Sequence, residues 1–191
     1  MKIEKGQPGY LKAERNKLLA QTLIEFVIVV VLLIVGYVQT GTKLNLFTLV
    51  AVLGCLPASK VLVELITIFP YKTIDADKAA EIKEKTPLLT TAYDMVLTSR
   101  EKIMPVDAIV ISGGTICGYS KSKKVKPEET ASYIKKMLQE NRFDKVTVKI
   151  FPDYVAFLSR AEGMNSIAEI EREDTRKKEK KIRKIILSLS M

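Results

Sequence analysis

The sequence predicts a membrane α-hairpin of two transmembrane helices followed by a cytoplasmic α+β domain with a mixed sheet. Residues 18–38 and 44–69 form two apolar stretches, each near the roughly 20 residues that cross a bilayer as a helix. Only Gln39-Thr40-Gly41-Thr42-Lys43 lies between them, which forces an antiparallel return. From residue 71 onward the chain is polar, with turn signals between short apolar runs. Three regions follow: a basic cytoplasmic tail over 1–17, the hairpin over 18–69 and the domain over 71–191.

Lys and Arg near the apolar stretches set the expected orientation. Lys2, Lys5, Lys12, Arg15 and Lys17 precede the first, and Lys72, Lys78, Lys83 and Lys85 follow the second, while the turn has only Lys43. Both termini are expected in the cytoplasm of a bacterial-type inner membrane, in a multi-pass protein. A cleaved signal peptide is disfavoured because no A-x-A site follows Val38 and the apolar stretch is long. Val52-Leu53-Gly54-Cys55 resembles a lipobox but lies behind another span. Pro57 allows the second segment either to cross fully with a kink or to break there.

Glu25, Lys60 and Glu64 interrupt the apolar stretches. Lys60 and Glu64 are four apart and share a helix face. Depth counted at 1.5 Å per residue places Glu25 level with Lys60. An unpaired charge in a bilayer costs several kcal/mol, so mutual pairing of the three is expected, as a packing clasp or as part of an ion path.

In the domain, Asp75 caps a helix over 76–85 that Thr86-Pro87 ends. Residues 89–99 read as a strand with Tyr93, Met95 and Leu97 on one side and Asp94 and Thr98 on the other. Pro105 opens a second strand, 106–112, and Gly113-Gly114 turns it into a third, 115–120. Pro127-Glu128-Glu129 starts a helix to Asn141 that buries Ala131, Ile134, Met137 and Leu138. A fourth strand spans 145–151. Asp153 caps a further helix broken near Gly163, Ser166 restarts it, and Ile185 to Leu189 suggests a last strand. The order is αβββαβ, then helix and strand.

The 191 residues carry a net charge of +9 and contain no His and no Trp. Lack of His removes Ser-His-Asp and Cys-His catalysis and His-ligated zinc. Cys55 and Cys117 stand in different regions, which suits free thiols in a reducing compartment. No metal site and no cofactor are expected from the residues themselves.

The stretch from Pro105-Val106-Asp107 through Gly113-Gly114 to Tyr119-Ser120-Lys121 resembles the central hairpin of the restriction-endonuclease-like PD-(D/E)XK superfamily, which includes the nuclease-related domain of membrane-anchored bacterial proteins. The resemblance covers about residues 75–151. It implies that Asp107 matches the Asp of the second strand and Lys121 the Lys that closes the third. Such residues hold Mg or Mn with hard oxygen ligands and help a water attack phosphate. Tyr119 stands where the family has an acid, and a neutral phenol is a poor ligand for a hard cation. Glu81 and Glu84 are the acids on the preceding helix.

Two basic surfaces remain. Lys121, Lys123, Lys124 and Lys126 form a loop, and Arg172, Arg176, Lys177, Lys178, Lys180, Lys181, Arg183 and Lys184 form a run diluted by Glu173, Asp174 and Glu179. They suit anionic lipid or a solvated helix face better than nucleic acid, because aromatic residues do not interleave with them. The expected function is a membrane-anchored interaction or scaffold domain with a lipid bilayer and a membrane or cytoplasmic protein as partners. The alternatives are a diverged metal-dependent nuclease or nucleic-acid-binding protein, and an accessory subunit of a transport complex.

Overall fold

The computed structural model describes residues 3–42, 45–99, 102–123, 125–171 and 175–191. The chain divides into two compact units, residues 11–72 and residues 1–10 with 73–191.

The first unit contains two helices, α1 (Tyr10–Thr40) and α2 (Leu46–Ile68), each long and apolar enough to cross a membrane. Asn45 caps α2 by accepting from the Thr48 amide. Pro57 lies inside α2, and the helix continues through it. The buried positions recur at heptad spacing: Leu11, Leu18, Thr22, Val29 and Gly36 on α1, and Ala51, Ala58, Val61 and Ile68 on α2. That is the pattern of an antiparallel pair meeting along one narrow seam. Small residues let the helices approach. A Cβ on Gly36 would lie 2.7 Å from the Phe47 Cβ, and one on Gly54 would lie 3.4 Å from Val29 Cγ2. Arg15 sits over the Phe69 ring at 5.7 Å. Most other apolar side chains of both helices, such as Leu23, Ile24, Leu53 and Leu56, are exposed.

The second unit holds α3 (Ala76–Lys85), β1 (Thr90–Thr98), β2 (Ile103–Ser112), β3 (Thr115–Tyr119), α4 (Pro127–Glu140), β4 (Thr147–Phe151), α5 (Tyr154–Glu171) and α6 (Arg176–Leu189). The four strands make one mixed sheet in the order β1-β2-β3-β4. The first three form an antiparallel meander, and β4 lies parallel to β3 after the α4 crossover. Helices cover both faces. On one, Ile134, Leu138, Ile182 and Ile186 of α4 and α6 pack against Ile109, Ile111 and Ile116. On the other, Ala79, Ile82, Phe157 and Ala161 of α3 and α5 pack against Ala108, Val110 and Cys117. Two-sided burial explains why the strands read as continuous apolar runs.

Four expectations need correction. Tyr93 does not share a face with Met95 and Leu97: it packs in the α3/α5 cluster and they in the other. Asp94 causes the switch, because its φ of +54° breaks the two-residue alternation. In β2, Val106 and Ile109 share a cluster although three apart, so the side change occurs on both strands beside Asp94 and Asp107. Secondly, Pro105 lies within β2 rather than before it. Thirdly, α5 runs unbroken through Gly163, where a Cβ would meet nothing within 4 Å. Fourthly, residues 185–189 are the end of α6, because Ile182, Ile186 and Leu189 recur at helical spacing toward the core. Only Ser190 then bridges to Leu97.

Candidate functional site at the foot of the central hairpin

Asp107 in β2 and Lys121, just beyond β3, come together. The Lys121 Nζ lies 3.3 Å from Asp107 Oδ1, and the Lys121 amide donates to Oδ2 at 2.7 Å. The register places Ala108 opposite Tyr119, so the end of β3 brings Lys121 back beside Asp107. Asp107 is buried and Lys121 is partly open to solvent. Burial pushes the Asp107 carboxyl above its ordinary range, the Lys121 amide and ammonium oppose this, and the nearby Asp94 charge adds to it. Lys121 also donates to the Thr73 carbonyl at 3.3 Å.

Tyr119 is buried in an aromatic cluster. Its ring meets Tyr154 edge to face at 5.4 Å and lies 6.0 Å from Phe157. Lys78 of α3 sits over both tyrosine rings, at 6.0 and 5.1 Å. The Tyr154 hydroxyl donates to Glu81 Oε2 at 2.7 Å, and Lys85 pairs with Glu81 Oε1 at 3.3 Å. Burial pushes the Tyr154 hydroxyl strongly up, and the Glu81 carboxylate adds to it. Hydrogen bonding from Tyr154, ahead of the Lys85 contacts, holds the Glu81 carboxyl down. Glu84 is exposed on α3.

Asp94, which the strand pattern places on a polar outer side, is buried and organises the junction. Its Oδ2 accepts from the Gly9 amide at 2.8 Å and the Thr73 hydroxyl at 2.5 Å, and its Oδ1 from the Ile74 amide at 2.8 Å. The Tyr93 amide donates to the Gly6 carbonyl at 3.0 Å. One carboxylate thus holds the segment before α1 and the segment after α2. The sequence signal for it was an Asp in the middle of an apolar strand.

These residues do not fit a hard divalent cation. Both Asp107 oxygens face Lys121 donors, both Asp94 oxygens are occupied, and Tyr119 offers a phenol inside a ring cluster. Among the described residues no three His, Cys, Asp or Glu side chains are grouped as metal ligands.

Glu25, Lys60 and Glu64 do not form an ion pair with one another among the described residues. The seam explains it. Gly36 against Phe47 and Val29 against Gly54 set a register that brings Glu25 level with Ala58. Lys60 is two residues, about 200°, around α2 from Ala58 and is exposed, as is Glu64. Glu25 Oε1 accepts from Gln21 at 3.1 Å, and its Oε2 is buried without a partner.

Of the basic loop, Lys121 is tied to Asp107 and Lys126 pairs with Glu129 at 3.1 Å, while Lys123 is exposed. Lys124 lies outside the described residues, as do Arg172, Glu173 and Asp174. On α6, Arg176, Lys177, Lys180 and Lys181 are exposed, and the helix turns its one acid, Glu179, inward. No family model matches this chain, nor does any curated protein or solved structure compared with it.

Proposed function

We propose that residues 10–72 cross a bilayer as a two-span hairpin with both termini in the cytoplasm, and that the α/β unit is a non-catalytic interaction module anchored there. The observation that carries the first half is the Asp94 knot. Gly9 and Thr73 hydrogen-bond to the same carboxylate oxygen, so the chain leaves and returns at one point. A two-span excursion satisfies that and a single crossing does not. The exposed apolar surfaces of α1 and α2 and the basic residues flanking them support the same topology.

The second half rests on how the polar groups are occupied. Asp107 is occupied by the Lys121 amide and ammonium, Asp94 ties backbone, and Tyr119 fills a hydrophobic position. The exposed cations of α6 suit an anionic lipid surface, worth roughly 1 kcal/mol per Lys or Arg near it. The hairpin offers lipid-facing surface to a membrane protein partner.

Two measurements test this. In a Cys55→Ser background, Thr40→Cys should react with an impermeant thiol reagent from outside intact cells, and Ser188→Cys should not. The opposite pattern overturns the topology. The full chain in detergent should leave DNA and RNA intact with added magnesium or manganese. Hydrolysis that disappears in Asp107→Ala would instead establish a tethered nuclease.

A further inference from the structure

We infer that a cavity at the turn end of the β2–β3 hairpin binds a phosphate monoester bearing an apolar group. This goes beyond the anchoring role and uses none of the residues around Asp107. The cavity, of about 340 Å³, lies between the Gly113-Gly114 turn, α5 and the start of α6. That volume falls at the lower end of small-ligand sites.

Its polar wall holds Arg160, Lys178, Ser112 and Thr115. Arg160 and Lys178 make no ion pair among the described residues, and the Ser112 and Thr115 hydroxyls make no hydrogen bond there. Arg160 reaches the buried Cys117 thiol, whose acidity burial lowers and this guanidinium partly restores. Lys178 overhangs the bare Gly114: a Cβ there would sit 3.7 Å from its Nζ and only 2.7 Å from the Lys145 carbonyl oxygen. The close approach of the Lys145 backbone therefore keeps this turn position free of a side chain, below the Lys178 ammonium.

Glu179, on the same helix as Lys178, is buried. Its Oε1 accepts from the Gly113 amide and the Thr175 hydroxyl, and its Oε2 from the Thr90 hydroxyl. It holds the turn against α6, and among the described residues that line the cavity the charged ones are both cations, Arg160 and Lys178. Two cations match a phosphate monoester, with its charge of about −1.5 to −2, better than the single charge of a diester or carboxylate. Two free hydroxyls add donors for a tetrahedral group. Met164, Ile167 and Ala168 line the cavity along the same α5 face as Arg160, and Ile167 is exposed. An apolar ester group would cover it.

The test is calorimetric titration of the full chain in detergent with inorganic phosphate and with phenyl phosphate. Phenyl phosphate should bind at one site and more tightly than inorganic phosphate. Arg160→Gln and Lys178→Gln should each weaken it about tenfold, the loss of one charge-assisted contact. Ile167→Ser should weaken phenyl phosphate and leave inorganic phosphate unchanged. Lys180→Gln, outside the cavity, should bind as the unaltered protein does. No saturable binding of either probe overturns the inference. So does unchanged affinity in an Arg160→Gln/Lys178→Gln double variant whose melting temperature matches the parent. Two sources share this chemistry, and nanodiscs separate them. Loss of phenyl phosphate binding in phosphatidic acid nanodiscs, but not in pure phosphatidylcholine, supports the site with a lipid headgroup as ligand. Equal binding in both supports it with a soluble monoester.

Discussion

At the scale of single residues, two aspartates in facing strand positions do opposite jobs. Asp94 adopts a left-handed backbone conformation, which costs on the order of 1–3 kcal/mol for a non-glycine residue. Its carboxylate offsets that with three hydrogen bonds, two of them to backbone amides. Asp94→Ala removes the acceptors and retains the backbone cost. We expect a loss of about 2–4 kcal/mol in denaturant unfolding of the full chain, with faster proteolysis around residues 5–9. A change under about 0.5 kcal/mol would mean that the knot adds nothing. Asp107 instead sits where burial disfavours its charge more than Lys121 favours it. Its carboxyl is raised in the folded chain, so the folded state binds the proton more tightly than the unfolded state. Stability therefore falls as pH rises from the ordinary carboxylate value through the raised one, and stays lower above it. Asp107→Asn keeps an acceptor for the Lys121 amide and removes this dependence. The variant should melt above the parent near neutrality, with the gap closing as the solution is acidified. A gap that widens in acid would show that the Lys121 pair outweighs burial.

At the scale of elements, α1 and α2 pack through one narrow stripe. Ala51 and Ala58 are almost completely buried, and their small size sets how closely the helices approach. Ala58→Leu forces extra carbons into that seam and should cost about 1–3 kcal/mol of hairpin stability in mixed micelles. Leu53→Ala, on the exposed side, should change it by less than about 0.5 kcal/mol. If both variants behave alike, the seam is not where the helices meet. The same stripe explains Lys60. Depth along a helix is legible from counting residues, but facing depends on which stripe a partner takes. Small residues at 51, 54 and 58 chose that stripe and turned Lys60 away from it.

At the scale of the whole α/β unit, the sheet has two edges of different character. The outer edge of β1 is covered by chain that is distant in sequence. Gly6 accepts from the Tyr93 amide, Ser190 Oγ accepts from the Val96 amide at 2.9 Å, and the Met191 amide donates to the Val96 carbonyl at 3.1 Å. Lys5 donates to the Ser190 carbonyl, which links the two covering segments. Bare edges invite pairing with other chains. Ser190→Ala combined with Met191→Pro removes both contacts to Val96. It should cost about 1–3 kcal/mol and produce self-association that grows with protein concentration in light scattering. A double variant that stays monomeric and melts as the parent would show that the edge is protected by other means.

Read alone, the residues determined the two long apolar helices, the αβββαβ order, the Gly-Gly turn and the cap at Asp153, whereas Asp75 precedes α3 without a side-chain capping bond. Each depends on contacts within a few residues or on summed apolarity, and these are local quantities. Asp107 and Lys121 were named together only through the family resemblance, and the register across the Gly-Gly turn is what brings them side by side. Tertiary structure alone decided the rest. Residues 185–189 carry both strand and helix propensity, and packing against Ile109 and Ile111 selected the helix. Asp94 looked like a polar outer position until segments some twenty and eighty residues away supplied its donors. The cavity beside Gly114 draws its cations from two helices far along the chain, and no local pattern records which remote side chains converge.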